Sequence, residues 1–343
     1  MGRFLTTGSD PVRTVIVIRP GMLTTIQDLG RPGYQGLGVP VSGPMDAYSH
    51  RLANQVLGNN PSAAALEITI LGPELEAGGE ITCAIAGAEI DVSVDGATAP
   101  RHLPFVVASG SRIRCGARGR GARLTLAVLG GFDAPVTLGS RSTHLVSRMG
   151  PFGGRALRGG DVLAVGSFAD RGQVAGSSTS DATMDRADPA GSVAEKDDAL
   201  PLPLDLPAGG AMLRVLPAVH RARFTDAAWD LLLRARFTVS PQSNRMGYRL
   251  DGPSLVHVGA ADILSEAMPM GVVQVPASGQ PILLMAERQT TGGYATIANV
   301  IAADLPVAGQ LAPGDWVEFT PVTRTEALAA LRAREAALGG LRP

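Results

Sequence analysis

At 343 residues, 45% of them apolar, the chain is long enough for about two ordinary domains with real cores, and its net charge of −1 excludes nucleic acid and anionic membrane surfaces as partners. No stretch nears the ~20 apolar residues that a membrane span needs, and the N-terminal MGRFLTTGSDPVRT has no apolar signal segment, which points to the cytoplasm. The only lysine, Lys196, lies in polar AEKDD, so this chain has no Walker A loop, no packed Schiff-base lysine and no setting for a covalent biotin.

The first strand is VIVIRP (Val15–Pro20). Polar text follows in TTIQDLGRPGYQ (Thr24–Gln35) and SGPMD (Ser42–Asp46). A helix is expected over Pro44–Leu57, with Met45, Ser49, Leu52 and Val56 on one stripe and Gly58 as its stop. Alternation then predicts strands through Ile81, Cys83 and Ile85 and through Ile90, Val92 and Val94, with Asp95-Gly96 as a hairpin turn. Cys83 and Cys115 both sit in strand-like text without a CxxC or a histidine pair. They read as reduced thiols or as one disulfide, and no metal site is expected.

After the strand Leu124–Val128 come the polar clusters LGSRSTHL (Leu138–Leu145) and FGGRAL (Phe152–Leu157). Residues 171–210, ending in PLPLDLP, have no period and read as a linker or insert. It separates a first domain, 14–170, from a second, 211–322. Both halves open on a short apolar strand ending in proline. Both also carry G-P-x-L and then L-x-x-G-D-x-[LV], as LGPEL with LRGGDVL and as DGPSL with LAPGDWV. Turn chemistry alone produces such matches, but their shared order favours an internal duplication.

The second half predicts a helix from Thr225 through Leu233 and strands at Phe237–Val239, Val256–Val258, Val272–Val275, Ile282–Met285 and Trp316–Phe319. Polar text appears in SNRMGYRLDGP (Ser243–Pro253), Ser265-Glu266 and ERQTTGGY (Glu287–Tyr294). The stripe Tyr294, Ile297, Val300 and Ile301 predicts a further helix ending before Pro306. Its start at Thr291-Gly292-Gly293 is either a plain turn with Thr291 as N-cap or an anion cradle of free N–H groups. Residues 323–343 form a helix and tail, with Thr323 and Glu326 as a capping box. Many short strands, few helices and 43 glycines indicate two mainly-β barrels or sandwiches.

Arginine recurs in the polar clusters as Arg31, Arg141, Arg155, Arg245 and Arg288. Each residue alone has a structural reading: Arg31 a loop salt bridge with Asp28, Ser140 to Thr143 a capping turn, Tyr248 a barrel-wall aromatic. Together the arginine loops suggest a pocket for a carboxylate or phosphate. The five histidines are scattered, and no G-x-S-x-G elbow is present.

GMLTTIQDLGRPGYQGLGVPVSGPMD, GSRSTHL with FGGRALRGGD, SPQSNRMGYRLDGP and QVPASGQPILLMAERQTTGGYATIANVIAADLP together resemble the allophanate hydrolase subunit 2 family. This is also described as the biotin-dependent carboxyltransferase-like or KipA family, and it includes the C-subunit of the bacterial 5-oxoprolinase. The resemblance runs from about Val15 to Phe319. It implies two cyclophilin-like β-barrel domains with a few short helices. It also implies a KipI-like or subunit-1 type partner, together with the A-subunit of 5-oxoprolinase. The implied function is that of one component in an ATP-dependent complex that opens 5-oxo-L-proline to L-glutamate, with ATP bound by the complex. Alternatives are carboxyl transfer from carboxybiotin, carried on another protein, to urea, or a non-catalytic regulator that binds a KipI-like kinase inhibitor. Combined with residue chemistry, the resemblance nominates Glu266, Asp28, Thr290 and Thr291 as catalytic. It nominates Arg31, Arg141, Ser142, Arg245, Tyr248, Arg288, Gln289, Gly292 and Gly293 as substrate or anion contacts.

Overall fold

The computed structural model describes residues 13–166 and 204–339. Lys196 and most of the expected linker lie outside the described residues.

The first half is built from twelve short strands. These are β1 (Thr14–Arg19), β2 (Leu23–Gln27), β3 (Ala65–Thr69), β4 (Glu74–Ala77), β5 (Ile81–Gly87) and β6 (Ile90–Val94). They continue as β7 (Ala97–Thr98), β8 (Phe105–Val107), β9 (Arg112–Arg118), β10 (Arg123–Val128), β11 (Phe132–Asp133) and β12 (Val162–Val165). One sheet has the order β11-β12-β1-β4-β9-β6-β7 and the other β2-β3-β10-β5-β8. Alternation puts Val15, Val17, Leu75, Val92 and Ile113 of the first against Ile68, Cys83, Ile85, Leu124 and Leu126 of the second in one core. Asp95 and Gly96 both take left-handed φ (50° and 91°), the turn that matches strand twist, so the expected hairpin forms between Val94 and Ala97. Cys83 and Cys115 are both free and buried, and burial pushes both thiols up, Cys115 to about 12.

Strands β5 and β10 are buried on both faces. Their second face carries Ala84, Ala86 and Ala127, small enough for the helix Ala47–Val56 to lie close, with Tyr48, Leu52 and Ala53 against them. Asp46 caps that helix by accepting from Ser49 N at 2.9 Å.

The second half contributes β13 (Gly210–Pro217), β14 (Phe237–Val239), β15 (Gly247–Asp251), β16 (Asp262–Ala267) and β17 (Val272–Gln274). Its remaining strands are β18 (Ile282–Leu284), β19 (Thr291–Tyr294), β20 (Thr296–Val300) and β21 (Trp316–Pro321). Seven of these close into a barrel, β13-β20-β17-β18-β15-β14-β21, in which β13 and β21 run parallel. Leu213, Phe237, Val273, Leu283, Ile297 and Phe319 fill it, and the Thr225-capped helix Asp226–Arg234 adds Ala228 and Leu232 to the same core. The chain is thus mainly β with few helices, as expected.

Three local expectations fail. The helix predicted after Gly293 is instead β19 and β20, because Thr296, Ile297 and Val300 are β-branched and the barrel needs a strand between β13 and β17. Val256–Val258 makes only one bridge, Phe224 with His257, leaving both valines exposed. The end of the supposed linker is packed: Leu204 and Leu206 are buried beside the helix Ala47–Val56, and Pro207 O accepts Gly121 N at 3.1 Å.

Polar bonds weld the two halves. Gln310 accepts from Ala122 N and Arg123 N, both at 2.9 Å, and donates to Asp46 at 2.6 Å. Arg118 grips Asp315 with two bonds at 3.1 and 3.0 Å. The C-terminal helix Arg324–Ala337, started by the Thr323/Glu326 capping box, reaches back so that Arg51 clasps Glu335 at 2.9 and 2.7 Å.

Candidate functional site

The nominated residues fall into three places. The first is the seam between the halves. Arg245 is 4% exposed there, with Nε 2.6 Å from Glu287, Nη1 on Glu67 and Nη2 donating to Gly43 O at 2.6 Å. Burial works against its charge, but Glu67 and Glu287 outweigh this and hold its pKa above the ordinary arginine value. The free oxygens of those carboxylates accept Met45 N at 2.6 Å and Leu145 N at 3.2 Å. Arg245 is therefore a neutralised clasp between domains. Tyr248 points into the barrel core, donates to Leu311 O at 3.3 Å and is pushed up by burial.

The second place is the loop around Asp28. Its carboxylate accepts Ser140 Oγ at 2.5 Å, Ser142 Oγ at 2.6 Å, Gly30 N at 2.9 Å and Arg141 N at 2.5 Å. Four donors on one buried carboxylate fix the 137–145 loop in shape. Arg31 runs beneath it to Ser142 O and, at 3.4 Å, to Thr137 O, leaving Nη1 buried with no hydrogen-bond partner among the described residues. Burial lowers the Arg31 pKa, opposed by Asp28 and Glu287. The Arg141 guanidinium turns outward to Ala134 O at 2.9 Å and Asp133 at 3.3 Å.

The third place is a flap on the outer wall of the barrel. Strands β16 and β19 pair as a two-stranded ribbon, with Glu266 opposite Gly292 and Ala267 opposite Thr291. Successive residues of a strand point to opposite faces, so Val273 enters the barrel while Val272 and Gln274 face outward. Met268, Val272 and Leu284, with Ile263 and Ile282, make a small separate core under the flap. Gly292 permits the close approach: a Cβ there would stand 2.6 Å from Gln274 Nε2 and 3.0 Å from Met268 Cγ. No helix start backs the Thr290–Gly293 turn, and Thr291 is not an N-cap; the Thr290 carbonyl instead accepts Met268 N at 3.0 Å.

Beside the flap opens a cavity of about 180 Å³ lined by Gln242, Asn244, Arg249, Gln274, Gln289 and Tyr294. Gln289 Nε2 donates to Gln274 Oε1 at 3.1 Å, which orients both carboxamides. Arg249 meets no carboxylate among the described residues. Next to Gln289, Arg288 donates from Nε to Met268 O at 2.7 Å, and burial lowers its pKa with no carboxylate among the described residues in opposition. On the ribbon's other side Glu266 lies 3.5 Å from His220. The flap therefore gathers Glu266, Arg288, Gln289, Thr290, Thr291, Gly292 and Gly293, and Glu287 links it to Arg245 and the Asp28 loop.

Glu67, Glu287, Gln274 and His220, which meet the nominated residues, were not singled out in the sequence. Glu67 was readable as a lone charge inside apolar ALEIT, and Glu287 as the first residue of ERQTTGGY. Gln274 and His220 carried no local signal, since only barrel closure brings them to the flap.

The model of the carboxyltransferase domain, subdomain A and B, matches residues 37–321. The chain is 35% identical over 316 residues to the 5-oxoprolinase C-subunit of Escherichia coli K12, covering 92% of this chain and 93% of that one. It is 32% identical over 336 residues to the urea amidolyase of Lachancea kluyveri, covering 94% of this chain but 18% of that much longer protein. The crystal structure of the Kluyveromyces lactis urea carboxylase matches 97% of this chain and 29% of its own, with a TM-score of 0.84 at 29% identity. With matches of this extent, the chain belongs to the carboxyltransferase subdomain A and B family, which includes the 5-oxoprolinase C-subunit.

Proposed function

We propose that this chain is one component of an ATP-dependent amide or lactam hydrolase complex, with 5-oxo-L-proline as substrate and L-glutamate, ADP and phosphate as products. It acts with a KipI-like, subunit-1 type partner and the A-subunit of a 5-oxoprolinase, and ATP belongs to the complex. The observation that carries this reading is the cavity beside the flap. Oriented carboxamides can pair with both the N–H and the C=O of a lactam, and an uncompensated guanidinium suits its carboxylate. Arg288 is the best-placed further anion contact, since it is half-buried and lacks a counter-charge among the described residues. The match to nearly the whole of a 5-oxoprolinase C-subunit supports the same reading.

The urea amidolyase likeness favours a second reading, carboxyl transfer from a biotin carried on another protein to urea. Urea has the amide groups but no carboxylate, so it would leave Arg249 unused. The test is glutamate formation from 5-oxoproline with ATP, using this chain alone and then with both partners. Turnover only in the full mixture supports the lactam reading. A well-formed complex that carboxylates urea and leaves 5-oxoproline intact would replace it.

A further inference from the structure

We propose that Gln274 and Gln289 determine specificity in the cavity beside the flap by reading an amide whose N–H and C=O lie on one edge, and that Gly292 keeps the two carboxamides in position to do so. This rests on the lactam reading above and names what selects the ring. Strand register puts the parts in line. Arg249 of β15 is directly opposite Ile282 of β18, and Ile282 is directly opposite Gln274 of β17. Tyr248 and Leu250 on either side of Arg249 enter the barrel core, as does Val273 beside Gln274, so the row Arg249, Ile282, Gln274 faces outward into the cavity. Paired strands lie ~4.8 Å apart, so about 10 Å separates the Arg249 and Gln274 backbones. A small molecule resting on Ile282 therefore meets a guanidinium at one end and the carboxamides at the other.

The pair has a fixed polarity. A thioether sulfur accepts and cannot donate, so the Gln274 atom 3.3 Å from Met268 Sδ is its NH2 group. The Gln274 oxygen then takes the Gln289 NH2 at 3.1 Å, and Gln289 Oε1 has no hydrogen-bond partner among the described residues. The cavity thus offers one acceptor, Gln289 Oε1, and one donor, the Gln274 NH2, whose present partner is a weak acceptor that a carbonyl oxygen displaces. A single amide can use both when its N–H and C=O share an edge. A five-membered lactam ring enforces that cis arrangement, whereas an open-chain secondary amide is overwhelmingly trans and turns the two groups to opposite sides.

Gly292 stands behind the pair. Tyr294, two residues along β19, lines the cavity, so Gly292 faces the same side of the ribbon. A Cβ at Gly292 would stand 2.6 Å from Gln274 Nε2 and 3.3 Å from Gln289 Nε2. Its φ lies outside the left-handed region, so the backbone accepts alanine and the added methyl acts on the carboxamides.

The probes are 5-oxo-L-proline, its N-methyl derivative, which lacks the N–H, and N-acetyl-L-alanine, which carries the same amide and carboxylate in an open chain. Binding is read from the side-chain NH2 signals of Gln274 and Gln289 by nitrogen–proton NMR, in the full chain and in the assembled complex. 5-Oxo-L-proline should shift both signals, and the other two should bind at least about tenfold more weakly. Gly292→Ala and Gln289→Met, each with an unfolding midpoint near that of the wild type, should weaken 5-oxo-L-proline about tenfold. Equal binding of the open-chain amide, unmoved NH2 signals, or unchanged affinity in either folded variant overturns the proposal; should Gly292→Ala not fold, the half-buried Gln289→Met decides. Turnover is read separately. Hydrolysis of 5-oxo-L-proline by a complex with unmoved carboxamides keeps the lactam reading and removes this site, and shifted carboxamides without hydrolysis do the reverse.

Discussion

Arg245 and Arg288 belong to the same barrel, yet their surroundings are opposite. Arg245 meets two carboxylates and a carbonyl at the domain seam, while Arg288 beside the flap has one carbonyl and, among the described residues, no counter-charge. In sequence both are arginines in polar loops. The difference teaches that compensation, more than burial or motif membership, separates an arginine that holds the molecule together from one free to hold a ligand.

The largest effect should come from breaking the seam. Arg245→Met leaves Glu67 and Glu287 buried without a counter-charge, which should cost about 3–5 kcal/mol in urea unfolding. Adding Glu67→Gln and Glu287→Gln should restore most of this. A single variant of normal stability would erase the contrast drawn between the two arginines.

Next comes acid. His50 is buried in the helix Ala47–Val56, and burial lowers its pKa from 6.5 to about 4. Because the folded pKa lies below the unfolded one, stability present above pH 6.5 falls as the pH drops toward 4, where the unfolded chain binds a proton that the folded chain refuses. The full loss is on the order of 3 kcal/mol. Denaturant unfolding at pH 7, 5 and 4 should show that slope, and His50→Asn should flatten it.

Asp28→Asn should cost about 2 kcal/mol, since an amide group would face donors that now meet a carboxylate. Faster proteolysis of the 137–145 loop would accompany the loss, and an unchanged loop would remove Asp28 from its organising role. The smallest stability effect belongs to the flap. Arg288→Gln should shift unfolding by less than about 0.5 kcal/mol but raise KM for an anionic substrate about tenfold in the complex. An Arg288 variant with large instability and normal KM would reverse the comparison.

The repeated turns offer a second contrast. Arg158–Asp161 and Ala312–Asp315 are the same structure. In each the first residue's N–H donates to the aspartate side chain, at 2.7 and 2.8 Å, and glycine takes φ near +90° before it. Each aspartate then grips an arginine, Asp161 with Arg155 and Asp315 with Arg118. The strands that follow differ: β12 runs antiparallel to β1, whereas β21 runs parallel to β13. The local match was legible because it is turn chemistry. The pairing was not, because it depends on the strands that surround it.

What the sequence by itself determined was local: the alternating strands, the Asp95-Gly96 hairpin, the helix that stops at Gly58 and those that start after Thr225 and Thr323, and the polar clusters. Each rests on neighbours a few residues apart. The stripe after Gly293 predicted a helix, and the closing barrel made it a strand instead. Tertiary structure alone decided that Glu67 and Glu287 would neutralise Arg245. It also decided that Arg288 would meet no carboxylate among the described residues, that Gln274 and Gln289 would line one cavity, and that His220 would lie beside Glu266. Those outcomes depend on charges brought together across the fold, and a one-dimensional pattern does not record which carboxylate ends beside which arginine.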